Sequence, residues 1–298
     1  MRRCPMMLAL FALIVAGLIC VQAVSGAQLT EPNSTSLIGF DSADLLGGGL
    51  DDEGLGVQTF VINGQNQLFA HWWWFRVEGA DRETVFDDAP VDGVTLNAIG
   101  TADSDPFDGV GPDTASGQYT ITDQGADIDV DFTYILDGAG SVADLAKQVT
   151  VTHQGDRAAE LNLFYYVDLD LLGTAGGDTA EMAEAFGRLI ASQQLENGFG
   201  TDVTTFTGQG SPGVGIEQTG VVGSFSALVG ELTDLDADDF DGSDPQSLYD
   251  HGPYTGDAAF IVQWKIDLAP GDSAVLSIDM PLNVPEQAVV GPVRVDQV

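Results

Sequence analysis

Along Asp127-Ile128-Asp129-Val130-Asp131-Phe132-Thr133-Tyr134, polar and apolar side chains alternate one residue at a time. A period of two marks a strand with one wet face and one core face. The same alternation, punctuated by glycine- and aspartate-rich turns, predicts strands at Val57–Ile62, Gln67–Val77, Val94–Ile99, Gln118–Asp123, Ala126–Leu136 and Leu145–His153. Further strands are predicted at Ala159–Leu171, Thr201–Thr207, Gly213–Glu217, Ala258–Leu268 and Ala274–Met280. Helical periodicity is scarce. Ala180–Ala191 has helix-forming composition behind Asp178 or Thr179 as a cap, but its spacing suits a strand equally. Ser224–Leu232 predicts a short helix running into an acidic loop that extends to Asp244. The pattern as a whole predicts an all-β protein, a large antiparallel two-sheet β-sandwich with long acidic loops and little helix. No internal repeat, Pro-rich linker or composition shift divides 28–298, so a single domain is expected.

The first residues change the compartment. Arg2 and Arg3 precede an uncharged apolar run, Met6 to Val21, and then the small residues of Gln22-Ala23-Val24-Ser25-Gly26-Ala27. This reads as a secretory signal, residues 1–27, cut after Ala27. The run is about 16 residues, short of the roughly 20 needed to cross a bilayer, and no second span follows. A secreted, extracellular or cell-surface protein without membrane insertion is the expectation. Both cysteines, Cys4 and Cys20, fall in that leader, so stability must come from a core, bound ions or assembly.

Charge narrows the partners. The chain has 46 acidic residues against 9 Lys plus Arg, a formal net charge of −37. Such a surface repels nucleic acid phosphates and anionic lipids. The 44% hydrophobic content argues for a folded protein with an acidic exterior rather than a disordered tail. Acids are spread along the whole chain, which favours adaptation to salt, where screening shortens the reach of repulsion. Local Ca²⁺ binding by carboxylates is the alternative.

Four blocks, Phe60–Gly79, Gly140–Gly155, Leu161–Asp178 and Ala259–Met280, occur in an order that resembles exported bacterial proteins of the PEP-CTERM-associated type. The resemblance implies a β-rich protein of the cell surface or extracellular matrix and carries over no catalytic residues. The chain departs from that group at its end, VGPVRVDQV, which lacks the Pro-Glu-Pro sorting signal.

Candidate chemistry lies on two strands and one loop. In Phe69–Val77 the alternation puts Phe69, His71, Trp73, Phe75 and Val77 on a core face, and Ala70, Trp72, Trp74 and Arg76 on the other. Two indoles and a cation suit stacking on sugar rings; the competing expectation is that both faces are buried and Arg76 pairs an acid. In Leu161–Leu171, Tyr166, Asp168 and Asp170 share a face, and two carboxylates at that spacing suit a sugar, a cation or an acid/base pair. Solvated surface acids are the plainer reading, because nothing local implies a buried carboxyl. Asp234, Asp236, Asp238 and Asp241 open like an EF-hand loop, but Asp239 and Pro245 stand where the turn glycine and the bidentate glutamate belong. A looser Ca²⁺ site is what remains of that signal. His71, His153 and His251 fit no zinc spacing, and no nucleophile elbow or phosphate loop occurs.

The expectation is therefore a non-enzymatic surface or matrix protein that binds extracellular polysaccharide or copies of itself. A carbohydrate-active enzyme, hydrolase or lyase, and a calcium-dependent adhesion module stand as alternatives.

Overall fold

The computed structural model describes residues 26–40, 54–86, 93–107, 109–174, 176–185, 188–207, 210–234, 236–237, 240 and 251–284. Residues 1–25 of the expected signal, and Asp238 and Asp241 of the acidic loop, lie outside them. The strands in chain order begin with β1 (Gly26–Glu31), β2 (Ser34–Gly39), β3 (Gly56–Ile62), β4 (Gln65–Asn66), β5 (Ala70–Val77) and β6 (Thr84–Val85). Then come β7 (Val94–Ala102), β8 (Thr114–Ile121), β9 (Ile128–Ala139), β10 (Val142–His153) and β11 (Ala159–Asp168). The second half holds β12 (Asp178–Ala185), β13 (Arg188–Leu195), β14 (Gly200–Thr207), β15 (Gly215–Ser224) and helix α1 (Phe225–Thr233). It closes with β16 (Tyr254–Gly256), β17 (Ala258–Leu268), β18 (Ser273–Asp279) and β19 (Pro281–Asn283).

Two antiparallel sheets form a sandwich. The first runs β1-β2-β3-β5-β11-β17-β15, and the second runs β16-β12-β13-β14-β18-β10-β9-β8-β7. Their facing sides make one core, to which the first sheet brings Trp73, Phe75, Tyr165 and Trp264 and the second brings Phe132, Tyr134, Val149 and Leu276. The outer side of the second sheet keeps the wet face that the alternation predicts. There Asp129 and Asp131 accept bonds from Thr120 Oγ1 (2.7 Å) and Gln118 Nε2 (2.8 Å).

Three elements settle or depart from the alternatives of the sequence reading. The 180–191 segment is a hairpin, with Met182 opposite Ala191, and Ala180, Met182, Leu189 and Ala191 buried at period two. Sheet pairing on both sides outweighs its helical composition. The hairpin β1–β2 was not anticipated; it starts at Gly26, and Ala27 sits buried opposite Ile38, so a cut after Ala27 falls inside a strand. The central strands β5 and β11 are buried on both faces over nearly their whole length, because α1 covers the outer side of the first sheet.

Helix α1 starts where the sequence suggests. Ser224 is extended (φ −77°, ψ 150°), and its hydroxyl accepts from the Ala227 N–H at 3.3 Å, satisfying one of the orphan amides of the first turn. Ser224→Ala is expected to lower the unfolding free energy by about 1 kcal/mol in urea denaturation, the usual value of an N-cap.

Candidate functional site

The site grows from the register of β5, β11 and β17. Antiparallel pairing sets Trp72 opposite Tyr166, Trp74 opposite Phe164, Arg76 opposite Asn162 and Ala70 opposite Asp168. All point to the outer side of the first sheet, as period two requires. That side is not open. Leu228 and Leu232 of α1, with Phe240, pack on Trp72, Trp74, Phe164, Tyr166 and Ile261 in a second apolar cluster. Trp72 stacks on Tyr166, ring centroids 5.3 Å apart at 16°. The sugar-stacking groove expected over Trp72 and Trp74 is thus filled by the chain's own helix.

Arg76 lies at the polar end of this face. It bonds Glu83 at 2.8 Å and stands 5.7 Å from the Phe164 ring centre, with both charged side chains buried. Beyond it a polar strip runs across the sheet. Gln263 Nε2 donates to Asn162 Oδ1 (2.9 Å), Asn162 Nδ2 to Glu160 Oε1 (3.2 Å), and Lys265 pairs with Glu160 (2.9 Å). These residues hold one another and offer little to a ligand.

The opposite end is chemically different. Asp168 ends β11 and is 1% exposed; Asp178, which opens β12, is 3% exposed. Asp170 is half-buried and Asp257, just before β17, is exposed. Asp178 accepts from the Ala258 N–H (3.3 Å) and from Gln193 Nε2, which also reaches Leu169 O (2.8 Å). Asp168 Oδ2 and the Tyr166 hydroxyl are buried without a hydrogen-bond partner. Burial, then the charges of Asp257, Asp170 and Asp178, push the Asp168 carboxyl up to about 8. Burial and Asp257 also raise Asp170, and burial raises Asp178 against the bonds it accepts. The Tyr166 phenol stands well above its ordinary range through burial, Asp168 and Asp257. The expectation of solvated acids at Asp168 and Asp170 is corrected here: the deeper of the two is closed off, and it is protonated at neutral pH.

Beside these carboxylates is the exposed aromatic edge of the face. Phe69 is 52% exposed and meets Phe225 edge-on, centroids 5.1 Å apart. Phe225 in turn stands 6.4 Å from Trp72 and 6.3 Å from Tyr166. Main-chain bonds tie this pair to the acids: Phe69 N–H donates to Asp168 O (3.0 Å) and Phe225 N–H to Asp257 O (3.2 Å). Phe69 had been placed on the core face, but the strand begins at Ala70, so the alternation does not extend to it. The sequence reading takes Asp178 for a helix cap and Phe225 for part of a helix, does not single out Asp257, and marks none of the three as a site residue. Each sits at the end of an element, where no periodicity marks it.

The remaining candidates stay apart from this site. Asp234 and Asp236 are exposed, and their carboxylates accept from the Asp236 and Ala237 amides at 2.8 and 3.1 Å. Among the described residues no three His, Cys, Asp or Glu side chains are grouped so as to hold a metal ion. No described helix is long and apolar enough to cross a membrane. An open pocket of about 350 Å³ lies elsewhere, between Glu184, Arg188, Leu189, Thr207, Ile216 and Gln218. It gathers no buried unpaired group.

No protein-family model and no curated protein matches the chain. Among solved structures it is similar to a galactose mutarotase-like protein from Lactobacillus casei, at 8% identity over 86% of this chain and 99% of that one, TM-score 0.42. A second, from Clostridium acetobutylicum, gives 10% identity over 86% and 95%, TM-score 0.42. A copper-containing benzylamine oxidase from Hansenula polymorpha gives 7% identity over 88% and 61%, TM-score 0.43. At scores this low, neither site residues nor activity carry over to this chain.

Proposed function

We propose that this chain is an exported, non-enzymatic glycan-binding protein whose sugar contact is the Phe69–Phe225 edge with Asp170 and Asp257 beside it. The observation that supports it is the juxtaposition of an accessible aromatic edge, Phe69 against the partly buried Phe225, with the exposed Asp257, whose main-chain carbonyl accepts from the Phe225 N–H. A pyranose offers C–H faces to aromatic rings and hydroxyl donors to carboxylates, and few other ligands suit both at once. Trp72 and Tyr166 serve as the packed base that holds Phe225 in place. The extracellular setting rests on the signal-like leader and the acidic surface.

Affinity electrophoresis or calorimetry against a panel of extracellular polysaccharides tests the reading. Phe69→Ala is expected to weaken binding about tenfold, the effect of losing a single aromatic contact of some 1.4 kcal/mol. Phe107→Ala, at a residue 94% exposed, is the control and leaves binding intact. Equal affinity for wild type and Phe69→Ala, with circular dichroism unchanged, sinks the assignment.

One observation favours a second reading, a glycoside-cleaving enzyme. Asp168 keeps its proton at neutral pH while Asp170 is the more exposed partner, the asymmetry that an acid/base pair needs. That reading requires Asp168, 1% exposed here, to be uncovered when substrate binds, so that it protonates the glycosidic oxygen as the C–O bond breaks while Asp170 takes a proton from the attacking water. Release of reducing ends by the wild type and its loss in Asp168→Asn would replace the binding reading with this one.

A further inference from the structure

A second unusual group of polar atoms lies deep between the sheets, on the inner face of the strands whose outer face ends at Asp168. Polar atoms buried in an apolar interior need partners, and unpaired ones call for an explanation such as an ion or an ordered water. Here His71 Nε2, Tyr165 Oη and Trp264 Nε1 are buried without a hydrogen-bond partner, and so, by hydrogen-bond geometry, are Trp73 Nε1 and Tyr134 Oη, although the indole lies close enough to favour the ionised phenol. They belong to one contiguous patch. Trp73 and Trp264 stack at 5.9 Å, and the Tyr165 ring lies 4.9 Å from both His71 and Trp73. Tyr134 approaches from the other sheet, 6.3 Å from His71. Directly across the β9–β10 ladder from Tyr134 is Lys147, 3% exposed, whose Nζ stands 5.4 Å from the centre of the Tyr165 ring.

The chemistry of this patch is one-sided. Indole N–H groups and an ammonium donate and never accept. The Val57 N–H donates to His71 Nδ1 at 3.2 Å, so the neutral imidazole carries its proton on Nε2, a further donor. The two phenols can give or take one bond each. Lys147 satisfies part of its capacity on Leu145 O at 3.2 Å. No carboxylate is among the unpaired atoms of the patch.

We infer that the sandwich interior contains a binding site for a small halide anion, held by Trp73, Trp264, Tyr134, Tyr165, His71 and Lys147. A monatomic anion can accept from donors carried on both sheets without requiring one direction. Water brings two donors of its own into a patch already short of acceptors. A carboxylate or phosphate would carry substituents that an enclosed core does not accommodate. On a chain with a net charge of −37, a halide would find no attraction at the surface, so a donor-lined interior is where one is retained.

The titratable groups around the patch are His71 on β5, Tyr134 on β9, Lys147 and Asp144 on β10, Tyr165 on β11 and Asp279 on β18. Burial, and then Lys147, keep His71 well below its ordinary range, so it is neutral. Both phenols are raised, chiefly by burial. Burial takes Lys147 down to about 7, against the pull of Asp144 and Asp279. An anion beside Lys147 favours the charged ammonium, so halide binding strengthens as pH falls through that range.

The test uses the whole chain and is independent of the glycan reading. In crystals soaked with sodium bromide, an anomalous difference peak is expected between the indoles of Trp73 and Trp264 and Lys147 Nζ. In solution, 1 M NaCl is expected to raise Tm above 1 M sodium gluconate by about 5 °C, and by more at pH 6 than at pH 9. Lys147→Met abolishes that difference. Should that variant not fold, Tyr165→Phe removes one hydroxyl, keeps the ring and narrows the difference. Absence of a bromide peak at the patch, or equal Tm in the two salts, overturns the inference and leaves ordered water in its place.

Discussion

Asp168→Asn is expected to raise the unfolding free energy at pH 8.5 by about 3–5 kcal/mol and to flatten the fall in stability between pH 4 and pH 8. In the unfolded chain an aspartate ionises near 3.9. In the fold Asp168 is 1% exposed and, through burial first and then Asp257, Asp170 and Asp178, ionises only at about 8. Between those values the folded state binds a proton that the unfolded state does not. Stability is therefore fully present below the unfolded value and is lost as pH rises through the folded one. Asp170 and Asp178 are raised as well and add to the same slope. An asparagine has no proton to lose and nearly the same shape. Urea denaturation of both proteins from pH 4 to pH 9 measures the difference, and parallel curves would contradict it.

Arg76→Met is expected to destabilise the fold by about 3–5 kcal/mol, the cost of leaving a buried charge without its partner. Arg76 Nη1 bonds Glu83 at 2.8 Å, with side chains 9% and 0% exposed. Removing the guanidinium takes the Glu83 carboxylate's ion-pair partner away from a buried site and removes the cation over the Phe164 ring. Against a total stability of roughly 5–15 kcal/mol, this is a large share of the whole. The double variant Arg76→Met/Glu83→Met removes both charges and is expected to recover most of the loss, since apolar replacement of a buried pair is often neutral. A double variant as unstable as the single one would show that the pair is not what matters.

Much of the sandwich is legible in period-two alternation, because a strand with one buried face must write that face into every second residue. β9 and β18 show it plainly, and the Ser224–Leu232 segment is legible as the one short helix. The site is less legible, for a physical reason. Whether Trp72 and Trp74 face water depends on α1, some 150 residues later, and no local pattern on β5 reports a distant cover. The same holds for Asp168. Its burial comes from neighbours on three separate elements, and the acids that act on it, Asp178 and Asp257, lie at strand ends where alternation stops. Phe69 was misplaced because extending a strand by one residue assigns that residue to a face it does not have.

The central claim is that the end of the first sheet holds a carboxyl kept from water among uncompensated acids, with an aromatic edge at its side. A carbon-13 NMR titration of the aspartate carboxyls, with Asp168 assigned through the Asp168→Asn spectrum, tests it most directly. A midpoint for Asp168 at about 8 is the result expected. A midpoint near 4, that of a solvated carboxylate, would contradict it.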